Sequence, residues 1–340
     1  MDHQVAHRCP FLSDALDRTT TCIKHDNSKG VCSISALSNG RRQDWLVCPY
    51  RALDAGLLAQ MVRRLYQLAG SSPVLVTPAI RLAEPETRQA VLAAFASEST
   101  RVFVYLQDKL GGEISLARTP ASPEVSFDIT VVELLPPAEP GQPVSLGRYG
   151  VIELQTTDTH GSYRHAVEAL RSALDLHPQD FPAQLAAHPE WAGRKVEGPN
   201  ISNVFKRTFY QVAVKFQVTK RDTSVGCLLA IPQPVWDSWQ PFLGAPTLRD
   251  HGDGTWRLLD DDTGRAADWI YVFDVAEQPG EAGGPCPIDI RLVIGTDAAT
   301  LSRAALEVAP ARAVYDGGLH DAVLASLARR IQPYLPGLTL

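Results

Sequence analysis

The chain has 340 residues, of which 45% are hydrophobic, so it can bury a core in one large domain or two modest ones. Its formal net charge of −6 argues against a protein that coats nucleic acid through a uniformly basic surface. No stretch approaches the roughly 20 apolar residues that a membrane helix needs, and residues 1–10 lack the layout of a signal peptide. These features predict a cytoplasmic protein with no membrane partner.

The first segment, residues 1–53, is polar and rich in cysteine and has little regular apolar periodicity, which favours a small module stabilised by something other than a core. Its cysteines are Cys9, Cys22, Cys32 and Cys48, and they lack the paired knuckles of ordinary zinc fingers. Because no export signal precedes them, metal binding by four thiolates is favoured over disulfides. Zinc and iron both suit this donor set.

The remaining residues, 54–340, alternate helical and strand-like patterns and form the main predicted domain. The predicted helices cover residues 57–68, 84–95, 200–218 and 320–331, together with a helix that begins after Ser162 and carries Leu174. The predicted strands cover residues 74–78, 101–107, 126–135, 149–155, 228–232, 269–275 and 288–294.

Two of the predicted strands carry an acid between apolar neighbours, Asp128 in the first and Glu153 in the second. Because strand side chains alternate between faces, each acid points away from its neighbours, and Glu153 shares a face with Gln155. If the strands pair, these residues converge on one site, with Glu113 in reach from the preceding element. Carboxylates bind hard divalent cations such as Mg²⁺, which activate water for phosphodiester hydrolysis. Solvent-facing acids on amphipathic strands remain the alternative.

A basic stretch follows the second of these strands. Between residues 194 and 221, a single acid, Glu197, accompanies seven basic residues. These are Arg194, Lys195, Lys206, Arg207, Lys215, Lys220 and Arg221. The stretch predicts a local nucleic-acid-binding patch on the helix over residues 200–218, although an ordinary solvated helix face can be equally basic.

Several long segments resemble those of the NotI-type restriction endonucleases, a branch of the PD-(D/E)xK nucleases. They are CPFLSDAL, GVC, DWLVCPYRALD, KLGGEISL, SPEVSFDIT, YGVIELQTTDTHGSYRHAV and EGPNISNVFKRTFYQVAVKF. They span residues 9–216, and PQPVW and APTLRDHGDGT extend the resemblance towards the C-terminus.

The resemblance implies an α/β fold in which a PD-(D/E)xK core, a mixed central sheet flanked by helices over residues 54–340, follows a four-cysteine module. It implies a homodimer that hydrolyses both strands of double-stranded DNA at a GC-rich palindrome with a GGCC core, in a site as long as GCGGCCGC. The products carry 5′-phosphates and 5′ overhangs. A cognate DNA methyltransferase protects host DNA without being a physical partner.

The resemblance also implies roles for individual residues. Glu113, Asp128, Glu153 and Gln155 form the catalytic site, the first three hold Mg²⁺, and Gln155 replaces the lysine of the commoner PD-(D/E)xK pattern. The four cysteines align with a module that holds a single iron ion next to the DNA-binding region, and zinc remains the alternative.

A GC-only site presents guanine acceptors and cytosine donors in the major groove, which suit basic, amide and acidic side chains. The predicted DNA-contacting residues follow the catalytic strand or lie on the basic helix. They are His160, Arg164, Asn200, Asn203, Lys206, Arg207 and Gln211. Lys206 is expected to contact phosphate and Arg207 to contact a base, with phosphate contacts by both residues as the alternative. A loop histidine that holds phosphate is favoured over a general base at position 160.

Two rival interpretations remain open. A non-cleaving, sequence-specific DNA-binding protein needs the cysteine module and the basic helix but no carboxylate site. A structure-specific repair nuclease needs the same carboxylates but recognises junctions. The retention of Asp128, Glu153 and Gln155 together argues against the first.

Overall fold

The computed structural model describes most of the chain. The described residues are 7–24, 29–38, 41–97, 99–139, 142–157, 164–193, 200–259, 266, 268–276 and 286–335.

Helices and strands alternate along these residues. The α-helices are α1 (Pro10–Leu16), α2 (Ala55–Leu65), α3 (Pro85–Ala96), α4 (Arg164–Leu176), α5 (Phe181–Ala187), α6 (Ile201–Val218), α7 (Gln233–Trp239), α8 (Ala298–Arg303), α9 (Ala309–Tyr315) and α10 (Leu319–Ile331). The strands are β1 (Ser33–Ser38), β2 (Arg41–Leu46), β3 (Val74–Pro78), β4 (Arg101–Leu106), β5 (Ile114–Leu116), β6 (Val125–Phe127), β7 (Ile129–Leu135), β8 (Ser145–Leu154), β9 (Ser224–Pro232), β10 (Arg249–Asp250), β11 (Trp256–Arg257), β12 (Asp268–Val275) and β13 (Ile288–Thr296). Short 3₁₀ helices cover Pro49–Leu53, Ala79–Ala83, Pro189–Gly193 and Gln240–Leu243, and a π-helical turn covers Ala304–Val308.

Nine of the described strands form one sheet in the order β10-β11-β13-β12-β9-β8-β7-β4-β3. Strands β4, β7 and β8 are antiparallel neighbours, whereas β8, β9 and β12 run parallel. The parallel step from β8 to β9 requires a crossover, which α6 supplies by running back over the sheet. Two small ladders, β1 with β2 and β5 with β6, lie outside this sheet.

Helices cover both faces of the sheet because its central strands bury side chains on both sides. On one face Val151 packs in a layer with Phe216 of α6, and on the other Ile152 packs in a layer with Met61 of α2. Alternation along the strand sends these adjacent residues into opposite layers. It also explains why β9 is a nearly continuous apolar run. The predicted α/β class with a mixed central sheet flanked by helices is confirmed.

Most of the long elements lie within a few residues of their predicted positions. The helix predicted over residues 200–218 is α6, and the strand predicted over residues 74–78 is β3. The single strand predicted over residues 126–135 is wrong in one respect, because the chain bends at Asp128 and divides it into β6 and β7.

The cysteine-rich segment shares its buried side chains with the rest of the protein. Phe11 and Leu53 belong to the apolar layer that contains α2, and Ile34 and Trp45 belong to the layer that contains α6. The chain passes from the 3₁₀ helix Pro49–Leu53 directly into α2. The side chain of Asp54 caps the N-terminus of α2 by accepting a hydrogen bond from the amide of Leu57. The division into domains at residues 53 and 54 stays a prediction.

Among the described residues, no helix has both the length and the apolar character needed to cross a bilayer.

Candidate active site

Asp128 occupies the bend at which one strand ladder ends and another begins. Phe127 before it pairs with Ile114 of β5, whereas Ile129 after it pairs with Ile152 of β8. The two neighbours enter opposite apolar layers, so the alternation of the strand is broken at residue 128. The Asp128 carboxylate replaces a main-chain acceptor at this point, because its Oδ2 accepts a hydrogen bond from the Leu154 amide at 2.8 Å. The bend thus fixes one acid against the end of β8.

Glu153 is held next to Asp128 by the reciprocal contact. The amide of Asp128 lies 3.4 Å from Glu153 Oε1, to which it donates. As predicted, β7 and β8 pair, and Glu153 points away from Ile152 towards the face covered by α6. The two acids are therefore connected through each other's main chain.

A lysine from α6 completes this group. The ammonium of Lys215 donates a hydrogen bond to Glu153 Oε2, and both side chains are only 6% exposed. Lys215 Nζ also lies 5.9 Å from the centre of the Phe127 ring. The carboxylate and the ammonium thus form a buried ion pair between the sheet and the helix that covers it.

The electrostatics at Glu153 show that two negative charges are held close together. Burial raises the pKa of Glu153, and the neighbouring charge of Asp128 raises it further. The charge of Lys215 and its hydrogen bond act in the opposite direction without cancelling the first two effects. A positive charge near both acids is therefore favourable.

Gln155 follows Glu153 on the same face, as predicted, and its side-chain amide is held at both ends. Its Oε1 accepts a hydrogen bond from Thr208 Oγ1 of α6 at 2.5 Å, and its Nε2 donates to the carbonyl of Thr156 at 2.6 Å. The main-chain amide of Gln155 donates to Ala230 of β9 at 3.1 Å. Thr208 is buried, so this amide is oriented by the core and not by solvent.

Glu113 lies at the open end of the small ladder formed by β5 and β6. The register that pairs Ile114 with Phe127 puts Glu113 across from Asp128, one step beyond the last pair. Its side chain is exposed, and its Oε1 accepts a hydrogen bond from Ser115 at 3.4 Å. The topology thus brings Glu113 to the same end of the site, on the solvent side.

Sequence reasoning missed the roles of Lys215 and Thr208. Lys215 was counted with the basic patch, and this assignment is wrong because its side chain is buried against Glu153. A signal was present in the sequence: Thr208, Val212 and Lys215 follow helical spacing on the buried face of α6. A lysine on the apolar face of a helix needs a buried partner, and Glu153 is that partner.

The opposite face of α6 carries the predicted DNA-contacting residues. Asn203, Lys206, Arg207 and Gln211 are all exposed, and Asn200 precedes the helix at its N-cap position. The same helix therefore presents these polar side chains outwards and Thr208 and Lys215 inwards.

The other predicted contact residues are placed less directly. Arg164 is the first residue of α4, where its Nε donates to Glu168 at 2.7 Å. His160 lies outside the described residues, as do Arg194, Lys195 and Glu197 of the basic stretch.

The four N-terminal cysteines approach one another in two pairs. Cys9 donates its amide to Thr20 at 2.9 Å, and Cys22 donates its amide to His7 at 2.6 Å, which ties the first pair together. The second pair, Cys32 and Cys48, flanks the β1–β2 hairpin, and their thiols form a hydrogen bond. All four thiols are free.

The charges of these thiols influence one another. Burial raises the pKa of Cys9 to about 11, with smaller contributions from Cys48 and Cys22. The hydrogen bond from Cys32 lowers the pKa of Cys48 to about 6, and nearby Lys24 contributes to this effect. Within the part of the chain that the structure describes, no group of three or more His, Cys, Asp or Glu side chains has the arrangement of a metal site.

No protein-family model matches this chain, and no curated protein matches it.

Proposed function

We propose that the protein is a type II restriction endonuclease with a PD-(D/E)xK core, which hydrolyses both strands of double-stranded DNA in the presence of Mg²⁺. The observation that carries this proposal is the convergence of Asp128, Glu153 and Lys215 at the end of two paired strands. Two carboxylates beside a buried cation suit a reaction in which negative charge develops on a phosphate.

The acids fit a hard divalent cation. Asp128 and Glu153 offer carboxylate oxygens at the end of adjacent strands. Burial, and to a smaller extent the charge of Asp128, raises the pKa of Glu153, so a nearby positive charge favours its ionised form. Glu113 lies at the same end of the site on the solvent side and is proposed as a third ligand, although among the described residues the three carboxylates do not form a metal-site arrangement. When bound, Mg²⁺ lowers the pKa of the attacking water and neutralises charge on the phosphate.

Lys215 is proposed to act as a positioning residue in this site. Its ammonium holds the Glu153 carboxyl group in place and favours its ionised form against the effect of burial. It also supplies from α6 the positive charge that the strand lacks where Gln155 replaces lysine. The positive charge beside Glu153 therefore comes from α6 and not from the strand.

Gln155 is proposed to orient the attacking water or the phosphate through the remaining hydrogen-bond donor and acceptor of its side-chain amide. Thr208 fixes the direction of that amide. An amide has no useful pKa, so Gln155 cannot be the general base, and the proton passes to solvent or to the phosphate.

The exposed face of α6 is proposed to bind DNA at a GC-rich palindrome with a GGCC core. Lys206 is proposed to contact phosphate and Arg207 to contact a base. Their exposure on the face of α6 opposite to Lys215 and Thr208 supports a role in DNA contact. Asn200, Asn203 and Gln211 extend this face.

The cysteine segment is proposed to hold one iron ion, with zinc as the alternative metal. The support is chemical: four free thiols lie in two pairs, and each pair is fixed by hydrogen bonds. Thiolates are the donors that both metals prefer in closed structural sites.

A homodimer is proposed to cut the two strands, and α10 is the surface that supports it. Along this helix Leu319, Val323, Leu327 and Ile331 repeat every fourth residue, and all are exposed. With Leu324 they leave on the order of several hundred Å² of apolar surface uncovered, and patches of this size are often interaction sites. A stripe with a regular repeat can pack against a second copy of itself in antiparallel orientation.

The deciding experiment is incubation of plasmid and genomic DNA with the purified protein and Mg²⁺, followed by sequencing of the ends. The proposal expects discrete cuts at one GC-rich palindrome and none with Asp128→Ala or Glu153→Ala protein. Sequence-specific binding without cuts would favour the non-cleaving binder, and nicks confined to junctions would favour the repair nuclease. Variants that cut at the parent rate would remove the assigned site.

A further inference from the structure

A polar cavity lies on the face of the sheet opposite to Glu153 and Lys215. It has a volume of about 270 Å³, and its lining includes Arg63, Arg64, His251, Asp253, Arg257 and Trp269. We call it the arginine cavity.

The location of the arginine cavity separates it from the candidate active site. Trp269 pairs with Leu228, and Leu228 pairs with Ile152 of β8. These three side chains belong to the apolar layer on the α2 side, whereas Glu153 points to the α6 side. A ligand in the arginine cavity therefore cannot be the phosphate that Asp128 and Glu153 would act on.

The positive charge that lines this cavity is poorly neutralised. Among the residues that the structure describes, three guanidinium groups share the lining with one carboxylate, in a protein whose net charge is negative. The nearest approach of that carboxylate is 3.9 Å, from Asp253 Oδ2 to Arg64. Its other oxygen, Oδ1, accepts two hydrogen bonds from Thr255, from the amide at 3.0 Å and from the hydroxyl. Asp253 is thus used mainly to shape its own turn.

The guanidinium groups are held in place before any ligand arrives. Those of Arg64 and Arg257 lie 4.8 Å and 5.1 Å from the centre of the Trp269 ring. Arg63 donates to the carbonyl of Ser72 at 3.0 Å, and Arg257 donates to Thr255 Oγ1 at 2.5 Å. Burial lowers the pKa of Arg257, the charge of Asp253 opposes this effect, and the like charge of Arg64 adds a smaller lowering contribution. Two stacked, fixed cations that repel each other favour an anion between them.

We propose that the arginine cavity is a binding site for a phosphate group. Guanidinium groups bind phosphate oxygens through paired N–H donors, and the cavity is large enough for a phosphate with its attached sugar. The source is either a phosphodiester of a DNA duplex or a free phosphate-bearing small molecule. This inference stands whether or not the protein cuts DNA.

The first test is titration of the purified protein with inorganic phosphate in a chloride buffer, followed by calorimetry and by the midpoint of thermal unfolding. The wild-type protein is expected to bind phosphate, and Arg64→Gln or Arg257→Gln is expected to lower the affinity roughly tenfold. The matched control is Arg88→Gln, which removes an exposed arginine of α3 that lines no part of the cavity. Absence of binding, or equal binding by all variants, would overturn the proposal.

A variant that is expected to bind phosphate more tightly provides a test that misfolding of the arginine variants cannot explain. Asp253→Asn keeps an oxygen that can accept both bonds from Thr255 but removes the negative charge from the lining. It is expected to bind phosphate several-fold more tightly than the wild type, by removal of a like charge near the anion.

A further arm separates the two phosphate sources and one alternative. If the Arg64→Gln protein also binds non-specific duplex DNA more weakly than the wild type, and its affinity depends less steeply on salt, the phosphate belongs to the DNA backbone. If DNA binding is unchanged, the phosphate belongs to a small molecule. Residues 260–262, outside the described residues, are all aspartate. Phosphate binding that appears only when all three are replaced by asparagine would mean that the chain fills its own cavity, and would overturn the proposal.

Discussion

Lys215 and Glu153 are 62 residues apart in the chain and form an ion pair that is almost fully removed from solvent. The pair joins the central sheet to α6 close to Asp128 and Gln155. Breaking a buried ion pair by removing one member costs more than the pair itself contributes, because the remaining charge stays buried.

Replacing Lys215 by methionine should therefore destabilise the fold. We expect a loss of up to about 3–5 kcal/mol in the free energy of unfolding, reduced to the extent that Glu153 takes up a proton. Urea denaturation measures this directly. Lys220→Met, at an exposed lysine just beyond the same helix, is the control and should stay within about 0.5 kcal/mol of the wild type. The double variant Lys215→Met, Glu153→Gln should recover most of the loss. Equal stability of the two lysine variants would contradict a buried pair.

Thr208 should affect cutting without affecting DNA binding. Thr208→Val keeps the shape of the side chain but removes the hydrogen bond to Gln155 Oε1, so the amide loses its fixed direction. We expect the single-turnover cleavage rate to fall about tenfold, the effect of roughly one hydrogen bond, while the DNA dissociation constant without Mg²⁺ stays unchanged. Thr208→Ser should retain the rate. A Thr208→Val protein that cuts normally would show that Gln155 needs no such support.

Asp268 should make stability depend on pH. Its carboxylate is buried, with Oδ1 accepting from the Cys227 amide at 3.0 Å, and burial raises its pKa to about 7. Since the folded-state pKa lies above the unfolded value, the contribution to stability is present below about pH 4 and is lost as pH rises through about 7. We expect a loss on the order of 2–4 kcal/mol across that window.

Urea unfolding of the wild type and of Asp268→Asn at pH 5 and pH 8 checks this expectation. The asparagine variant should lose this part of the pH dependence and be the more stable protein at pH 8. Parallel curves for the two proteins would mean that Asp268 ionises normally.

Lys206 and Arg207 should separate phosphate contacts from base contacts. Lys206→Ala should weaken binding to all DNA sequences alike and reduce the slope of affinity against salt by about one counterion. Arg207→Ala should relax sequence preference at one base pair, with a cost of about 1–3 kcal/mol for the specific site only. Affinity selection from a random duplex pool at two salt concentrations measures both. Identical salt slopes and preferences in the two variants would mean that both residues contact phosphate.

The exposed stripe on α10 should control the oligomeric state. Leu327→Glu places a charge in the middle of the stripe and should convert a dimer to a monomer in sedimentation equilibrium without lowering the unfolding midpoint of the monomer. Leu176→Glu, at an exposed leucine of α4, is the control and should leave the dimer intact. A wild-type protein that sediments as a monomer at all concentrations would remove α10 as a dimer surface.

Periodicity in the sequence was sufficient for the long elements because their side chains alternate or repeat over many residues. The apolar run of β9 and the helical repeat of α6 are examples. It could not reveal the bend at Asp128, since β-branched and apolar residues continue through it and only the two separate ladders show the break. It also missed the β1–β2 hairpin, whose polar sequence resembles a loop.

The candidate site was predictable where its residues lie on one strand pair. The pairing of β7 with β8 brings Asp128 and Glu153 together, as predicted for paired strands. The alternation predicted at Asp128 is wrong, because Phe127 and Ile129 enter opposite layers. Lys215 was not predictable in that way, because its position depends on how α6 packs on the sheet, which no local pattern specifies. The only local sign was a charged residue on an apolar helix face.

A helix of 18 residues moves nearly as a rigid rod, so its two faces cannot shift independently. Any ligand that tilts or slides α6 through Lys206 or Gln211 must also change the distance from Lys215 to Glu153. A ligand that displaced α6 as a whole would therefore also alter the inner ion pair between Lys215 and Glu153.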